Sequence, residues 1–150
     1  MRYIPIIFFI FLFSLTVISC AKKSDSSSSS SADGLPGTYQ LATNDYANGV
    51  ATDSSGNVYV TGGTKGGLDG NTSAGNTDLF VIKYNSSGTR QWTKQLGTDD
   101  SDWAQGVATD SSGNVYVTGR TQGGLDGNTS AGEWSWDIFV VKYNSSGTKQ

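Results

Sequence analysis

The chain has 150 residues, a net charge of −3, no His and a single Cys. The weak negative charge argues against the basic groove that nucleic acid requires, and the lack of His removes the commonest general base and the commonest metal-ligating side chain. Twenty Gly, with abundant Ser, Thr, Asn and Asp, describe short strands joined by tight turns rather than helices.

The first segment, residues 1–19, carries one basic residue, Arg2, and then an apolar run from Ile4 to Ile18. That run is shorter than the roughly 20 residues needed to span a bilayer and suits the core of an export signal. It ends Val17-Ile18-Ser19-Cys20, which resembles a bacterial lipobox. The resemblance implies that the signal is removed and that Cys20 is lipidated. It places the chain in a bacterial cell envelope, lipid-anchored at the outer membrane or cell surface. Cys20 is the only cysteine and so has no partner for an internal disulfide. The plainer alternatives are an ordinary secretory signal followed by an incidental Cys, or an uncleaved anchor. Residues 20–36 then run through a Ser-rich stretch that cannot bury enough apolar area to fold, and they read as a flexible tether.

The folded part, residues 37–150, is dominated by a repeat. Gly49–Gly75 and Gly106–Gly132 differ only at Gly63/Arg120 and Lys65/Gln122. The likeness resumes at Asp78–Gln91 against Asp137–Gln150. Between these stretches Asn76-Thr77 is replaced by Glu133-Trp134-Ser135-Trp136. Such a period indicates supersecondary units that must stack to bury their faces. The repeats occupy about 46–98 and 103–150, the second incomplete.

In each repeat four strands are expected in the order A-B-C-D. In the first, strand A is Gly49–Asp53 and strand B is Asn57–Gly62, joined by a tight turn at Ser54-Ser55-Gly56. A long Gly-rich loop leads to strand C, Asp78–Tyr84. A turn at Asn85–Gly88 then leads to strand D, Thr89–Leu96. In strand C, Leu79 and Val81 alternate with Phe80, Ile82 and Tyr84, so both faces are apolar and both need cover. Strand D mixes polar residues into both faces and suits an outer edge. Small four-stranded antiparallel sheets stacked face to face are the blades of a β-propeller. The expected fold is therefore all-β, with tandem four-stranded blades in a partial or oligomer-completed propeller.

The GVATDSSGNVYVTG run, the later D-[LI]-F-V-[IV]-K-Y-N-S-S-G, and the Gln91-Trp92 and Leu96-Gly97 pairs resemble the bacterial β-propeller repeat known as SBBP. The resemblance implies a propeller in a secreted or surface protein and brings no catalytic residues with it. Propellers usually close with about four to eight blades. Here two repeats are preceded by Thr38–Leu41, which looks like the end of a strand D. Two blades would leave outer faces bare, drawn here as Phe80 or Ile82 on one and Phe139 or Val141 on the other. Homo-oligomerisation is the expected consequence.

Two groups of side chains are candidates for ligand contact. Arg120, Glu133, Trp134 and Trp136 lie in or beside the B–C loop of the second repeat, where the copies differ most. Exposed Trp beside charge suits a protein or carbohydrate surface. The alternative is that the tryptophans cover a blade edge. The second group is Asp69, Asn71 and Asp78, with Asp126, Asn128 and Asp137, an oxygen-rich set that calcium would accept. Asp-Gly and Gly-Asn are also ordinary turn pairs. No other cofactor is indicated. Without His there is no Ser–His pair, and no two carboxylates are fixed at a glycosidase spacing, so an enzyme is not expected. The expected role is a surface-anchored protein-interaction or scaffold module. A lectin-like carbohydrate binder and a truncated, non-functional fragment of a longer propeller are the alternatives.

Overall fold

The computed structural model describes residues 44–132 and 134–150. The export signal, Cys20, the tether, Thr38–Leu41 and Glu133 lie outside the described residues. Strands β1 (Asp45–Thr52), β2 (Val58–Thr64), β3 (Asp78–Tyr84) and β4 (Arg90–Leu96) form one antiparallel sheet in that spatial order. Strands β5 (Asp102–Thr109), β6 (Val115–Thr121) and β7 (Asp137–Tyr143) form the second. Past β7 the chain doubles back, with a Tyr143–Lys149 bridge and a hydrogen bond from the Gln150 amide to the Lys142 carbonyl. Among the described residues the only helical element is a single 3₁₀ turn, Leu125–Gly127. The described part of the chain is all-β, built as two tandem blades of propeller type.

The A–B turns are fixed by one side chain each. Asp53 Oδ1 accepts from the Ser55 and Asn57 amides, at 2.9 and 3.0 Å. Its Oδ2 accepts from Asn57 Nδ2 and from the Tyr59 hydroxyl, at 2.8 and 2.9 Å. Gly56 closes the turn at φ +77°, a conformation that side chains with a Cβ rarely adopt. Asp110 makes the same four bonds, to Ser112, Asn114 and Tyr116. The DSSGNxY run is thus a turn-building cassette that leaves each carboxylate fully occupied.

Strand A begins earlier than the alternation suggested. β1 starts at Asp45 because a bulge at Asn48, between Ala47 and Gly49, lets the chain stay paired with β2 while breaking the period-2 pattern. β5 repeats the device at Gln105, between Ala104 and Gly106.

The blades stack face to face. Tyr59, Leu79 and Val81 of the first pack against Ala104, Val115, Val117, Val141 and Tyr143 of the second, with Trp92, Val107 and Phe139 at the margin. A separate cluster, Phe80, Ile82 and Tyr84 with Val58 and Val60, covers the other side of the first sheet and includes Leu68 from the long loop. This corrects the expected bare faces. Phe80 and Ile82 are buried, and Val141 is buried in the joint between the blades. On β7 the exposed apolar residues are instead Ile138, at 90% exposure, and Val140, at 70%. The alternation of β7 was read correctly, but odd-numbered residues turn inward because they meet the Tyr59–Val81 face.

Polar ties complete the joint. Asn48 Nδ2 donates to the Ala104 carbonyl at 2.8 Å, Trp92 Nε1 to the Ser145 carbonyl at 3.2 Å, and the Asp102 amide to the Thr77 carbonyl at 2.7 Å. Asp102 itself is buried and accepts from the Thr98 amide and hydroxyl and from the Thr121 hydroxyl.

Candidate functional site: the loop face and the inter-blade cleft

The second B–C loop presents its tryptophans differently. Trp134 is 87% exposed and held at φ +66°, so it does not fold back over the blade. The turn below it is made by Ser135, whose amide and hydroxyl both donate to the Gly132 carbonyl. Trp136 is 41% exposed, and the Arg120 guanidinium lies over its ring at 4.3 Å from the centroid. That contact sets the cation against the face of the aromatic ring. The structure therefore joins Arg120 to Trp136 and leaves Trp134 projecting. Beside them a cleft of about 530 Å³ runs between the Leu125–Gly127 turn and β7, with Ile138 and Val140 in its lining.

The oxygen-rich residues are each engaged within the protein. Asp69 pairs with Arg90 at 2.5 Å and accepts from the Thr93 hydroxyl. Asn71 Nδ2 donates to the Leu68 carbonyl at 2.7 Å. Asp78 is buried and accepts from the Ala74 amide and from Gln95 Nε2. In the second blade Asp126 pairs with Lys149, Asn128 donates to the Leu125 carbonyl, and Asp137 accepts from the Ala131 amide. A Lys or Arg of the strand D segment thus faces the loop Asp of each blade, supplying the positive charge a calcium ion would bring. Among the described residues no three His, Cys, Asp or Glu side chains gather as a metal set.

A second cleft, of about 390 Å³, opens at the inner edge of the joint and is lined by Asn48, Trp103, Gln105 and Arg120. Reading strand A from Gly49 passed over three of these residues. Trp103 reaches it by leaning onto the first blade. Its ring meets Tyr46 at 5.6 Å between centroids, and a Cβ added at Gly63 would lie 2.6 Å from it. Gly63 is the counterpart of Arg120, so this difference between the copies has a physical reason: the first blade must admit a Trp at that point.

Two tyrosines of the core have a pH consequence. Burial pushes the Tyr59 hydroxyl well above its usual 10.0, helped by the hydrogen bond to Asp53 and its charge. Burial, with the Asp126 charge, pushes Tyr143 up to about 12. Both folded values are raised, so this contribution to stability is whole below pH 10 and is lost as pH rises through the folded values. Tyr143 alone should cost about 1 kcal/mol by roughly pH 11. Denaturant midpoints measured from neutral pH upward should fall, and Tyr143→Phe should flatten that fall. Asp53 behaves oppositely. Burial alone would raise it, but the bonds from Asn57, Tyr59 and Ser55 outweigh this and hold it below the usual 3.8. Its contribution is present above the ordinary carboxylate range and is lost as pH falls through the folded value.

With this geometry in view, the SBBP family model, described as a beta-propeller repeat, matches residues 40–69 and 91–126. These hits support the repeat reading of both blades. Among curated proteins, the "Regulatory protein FlaEY" of Caulobacter vibrioides is 33% identical over 79 residues, which is 52% of this chain and 8% of that protein. The "Uncharacterized WD repeat-containing protein L264" of Acanthamoeba polyphaga mimivirus is 31% identical over 80 residues, 47% of this chain and 6% of that protein. The chain thus spans less than a tenth of the length of these relatives.

Proposed function

We propose that the chain is an envelope-anchored protein-interaction module that binds through the outer face of its second blade. One observation carries this reading. Ile138 and Val140 are bare, while Leu79 and Val81, their counterparts in the first blade, are buried against the next sheet. A face built to receive a sheet is thereby left open beside a cleft and the projecting Trp134. Exposed apolar patches of this kind mark interaction surfaces. The partner that suits it presents an apolar sheet face, and a second copy of this chain is the nearest candidate. Sedimentation of the chain without residues 1–19 should show concentration-dependent association at micromolar protein. Ile138→Lys with Val140→Lys should abolish it while leaving the circular dichroism spectrum unchanged. A monomer at all concentrations, with no change in the double variant, would refute self-association.

The anchor is a separate part of the proposal and rests on the Val-Ile-Ser-Cys sequence. Two or more acyl chains on Cys20 would hold the chain firmly, where one would not. The expected intact mass is that of the 20–150 chain plus acyl groups, and Cys20→Ser should move the protein from the membrane to the soluble fraction. A mature chain with unmodified Cys20 would overturn the anchor and leave the interaction face standing.

A further inference from the structure

We infer that the inter-blade cleft lined by Asn48, Trp103, Gln105 and Arg120 is a binding site for a neutral saccharide. This goes beyond the proposed protein contact, and of the cleft's lining residues only Arg120 is paired in the β6–β7 sheet with Ile138 of that contact face.

The first ground is where the repeats disagree. The four lining residues occupy three repeat positions: Asn48/Gln105, Tyr46/Trp103 and Gly63/Arg120. All three differ between the copies, while the GVATDSSGNVYVTG run beside them is otherwise repeated letter for letter. The packing of the joint accounts for Gly63, for Trp103 and, through its bond to the Ala104 carbonyl, for Asn48. It gives no reason for Gln105, or for Arg120 and its stacked Trp136.

The second ground is backbone geometry. Asn48 and Gln105 are the extra residues of two equivalent β-bulges. A bulge re-aims a side chain that regular pairing would send elsewhere. Both re-aimed side chains are amides, and both line the one cleft. Asn48 Nδ2 is tied to the Ala104 carbonyl, which fixes the amide plane and leaves Oδ1 as its acceptor.

The third ground is chemistry. Two amides and a guanidinium supply donors and acceptors at short range, and Trp103 supplies an aromatic wall. Among the described residues no carboxylate lines the cleft, so none of them offers a cation a counter-charge there. A single guanidinium is too little for a polyphosphate, and a purely apolar ligand would strand the amides. A hydroxyl-rich ring with one C–H face uses every group present. The volume lies at the lower end for small-ligand sites, as suits one end of a glycan.

The test titrates the full chain, in a detergent without a sugar headgroup, with neutral oligosaccharides of glucose, mannose, galactose and N-acetylglucosamine. Saturation-transfer NMR and calorimetry read binding. At least one sugar should bind saturably, and Gln105→Ala and Arg120→Ala should each weaken it about tenfold, the effect of one lost hydrogen bond. Both side chains are exposed, so the melting temperature should not move. Trp134→Phe, outside the cleft lining, should bind normally. No saturable binding at about 10 mM of any sugar, or binding that survives both cleft substitutions, would overturn the inference. Loss of binding in Trp134→Phe with retention in the cleft variants would move the site to the outer loop.

Discussion

Tyr59→Ala should cost about 3–5 kcal/mol, the range for deleting a large buried aromatic, and so remove a large share of the stability of a small domain. Tyr59 is fully buried and links three parts of the molecule. Its ring packs in the joint between the blades, 6.1 Å from the Trp92 ring. Its hydroxyl donates to Asp53, the side chain that builds the A–B turn. Trp92 in turn lies 6.4 Å from Tyr143 of the second blade. Removing the ring therefore opens a cavity in the one surface that both sheets share. Tyr59→Phe keeps the ring and loses only the hydroxyl bond, and should cost about 1 kcal/mol. Urea denaturation followed by Trp fluorescence separates the two. Equal costs for Ala and Phe would show that the hydroxyl, and not the packing, holds the joint.

Much of this architecture was legible because local chemistry decides it. The bounds of β3 follow from the apolar run Leu79–Ile82, with its aromatic and β-branched residues, between Asp78 and the turn that opens at Asn85. The turns follow from Asp and Asn side chains that bond their own backbone a few residues on, as Asn85 Oδ1 does with the Ser87 and Thr89 amides. The hidden features are set by neighbours distant in sequence. Period-2 alternation divides β7 into two faces but does not say which meets another sheet, and with both faces apolar the choice went the wrong way for Phe139 and Val141. Leu68 looked like part of a loop, yet it is buried on the first sheet, held by a bond from its amide to Gln95 Oε1. Gln95, read as an outer-edge residue, is a clamp on that loop and also donates to the Gly66 carbonyl and Asp78.

The cleft was hidden for a different reason. A bulge breaks alternation, so Asn48 and Gln105 sit where pattern reading sees the end of a strand. The signal that could have found them was available: comparing the copies upstream of Gly49 shows Tyr46 against Trp103 and Asn48 against Gln105. Near-identity elsewhere makes these differences more informative, because the shared residues already account for the blade. Trp134 shows the complementary case. The extra residues of the second loop marked it as variable, and its exposure depends on a positive φ that composition does not disclose.

Exchanging the residues at the Gly63/Arg120 position should have unequal effects. Gly63→Arg should destabilise by about 2–4 kcal/mol, because a buried strand position must take up both volume and charge. The first atom added, Cβ, would meet the Trp103 ring at 2.6 Å and Thr77 Cγ2 at 3.0 Å. Trp103 has little room to retreat, since its other neighbour is the Tyr46 ring. Arg120→Ala, on an exposed face, should change stability by less than about 1 kcal/mol, the worth of an exposed cation–π contact. The clash explanation makes a further demand. In a Trp103→Ala background the obstacle is gone, so Gly63→Arg should cost measurably less than in the parent, a coupling of about 1 kcal/mol or more. Chemical denaturation of the two singles and the double closes the cycle. If the two costs simply add, Gly63 is not kept small by Trp103, and the fit of one blade's strand A across its neighbour is not what the Gly provides.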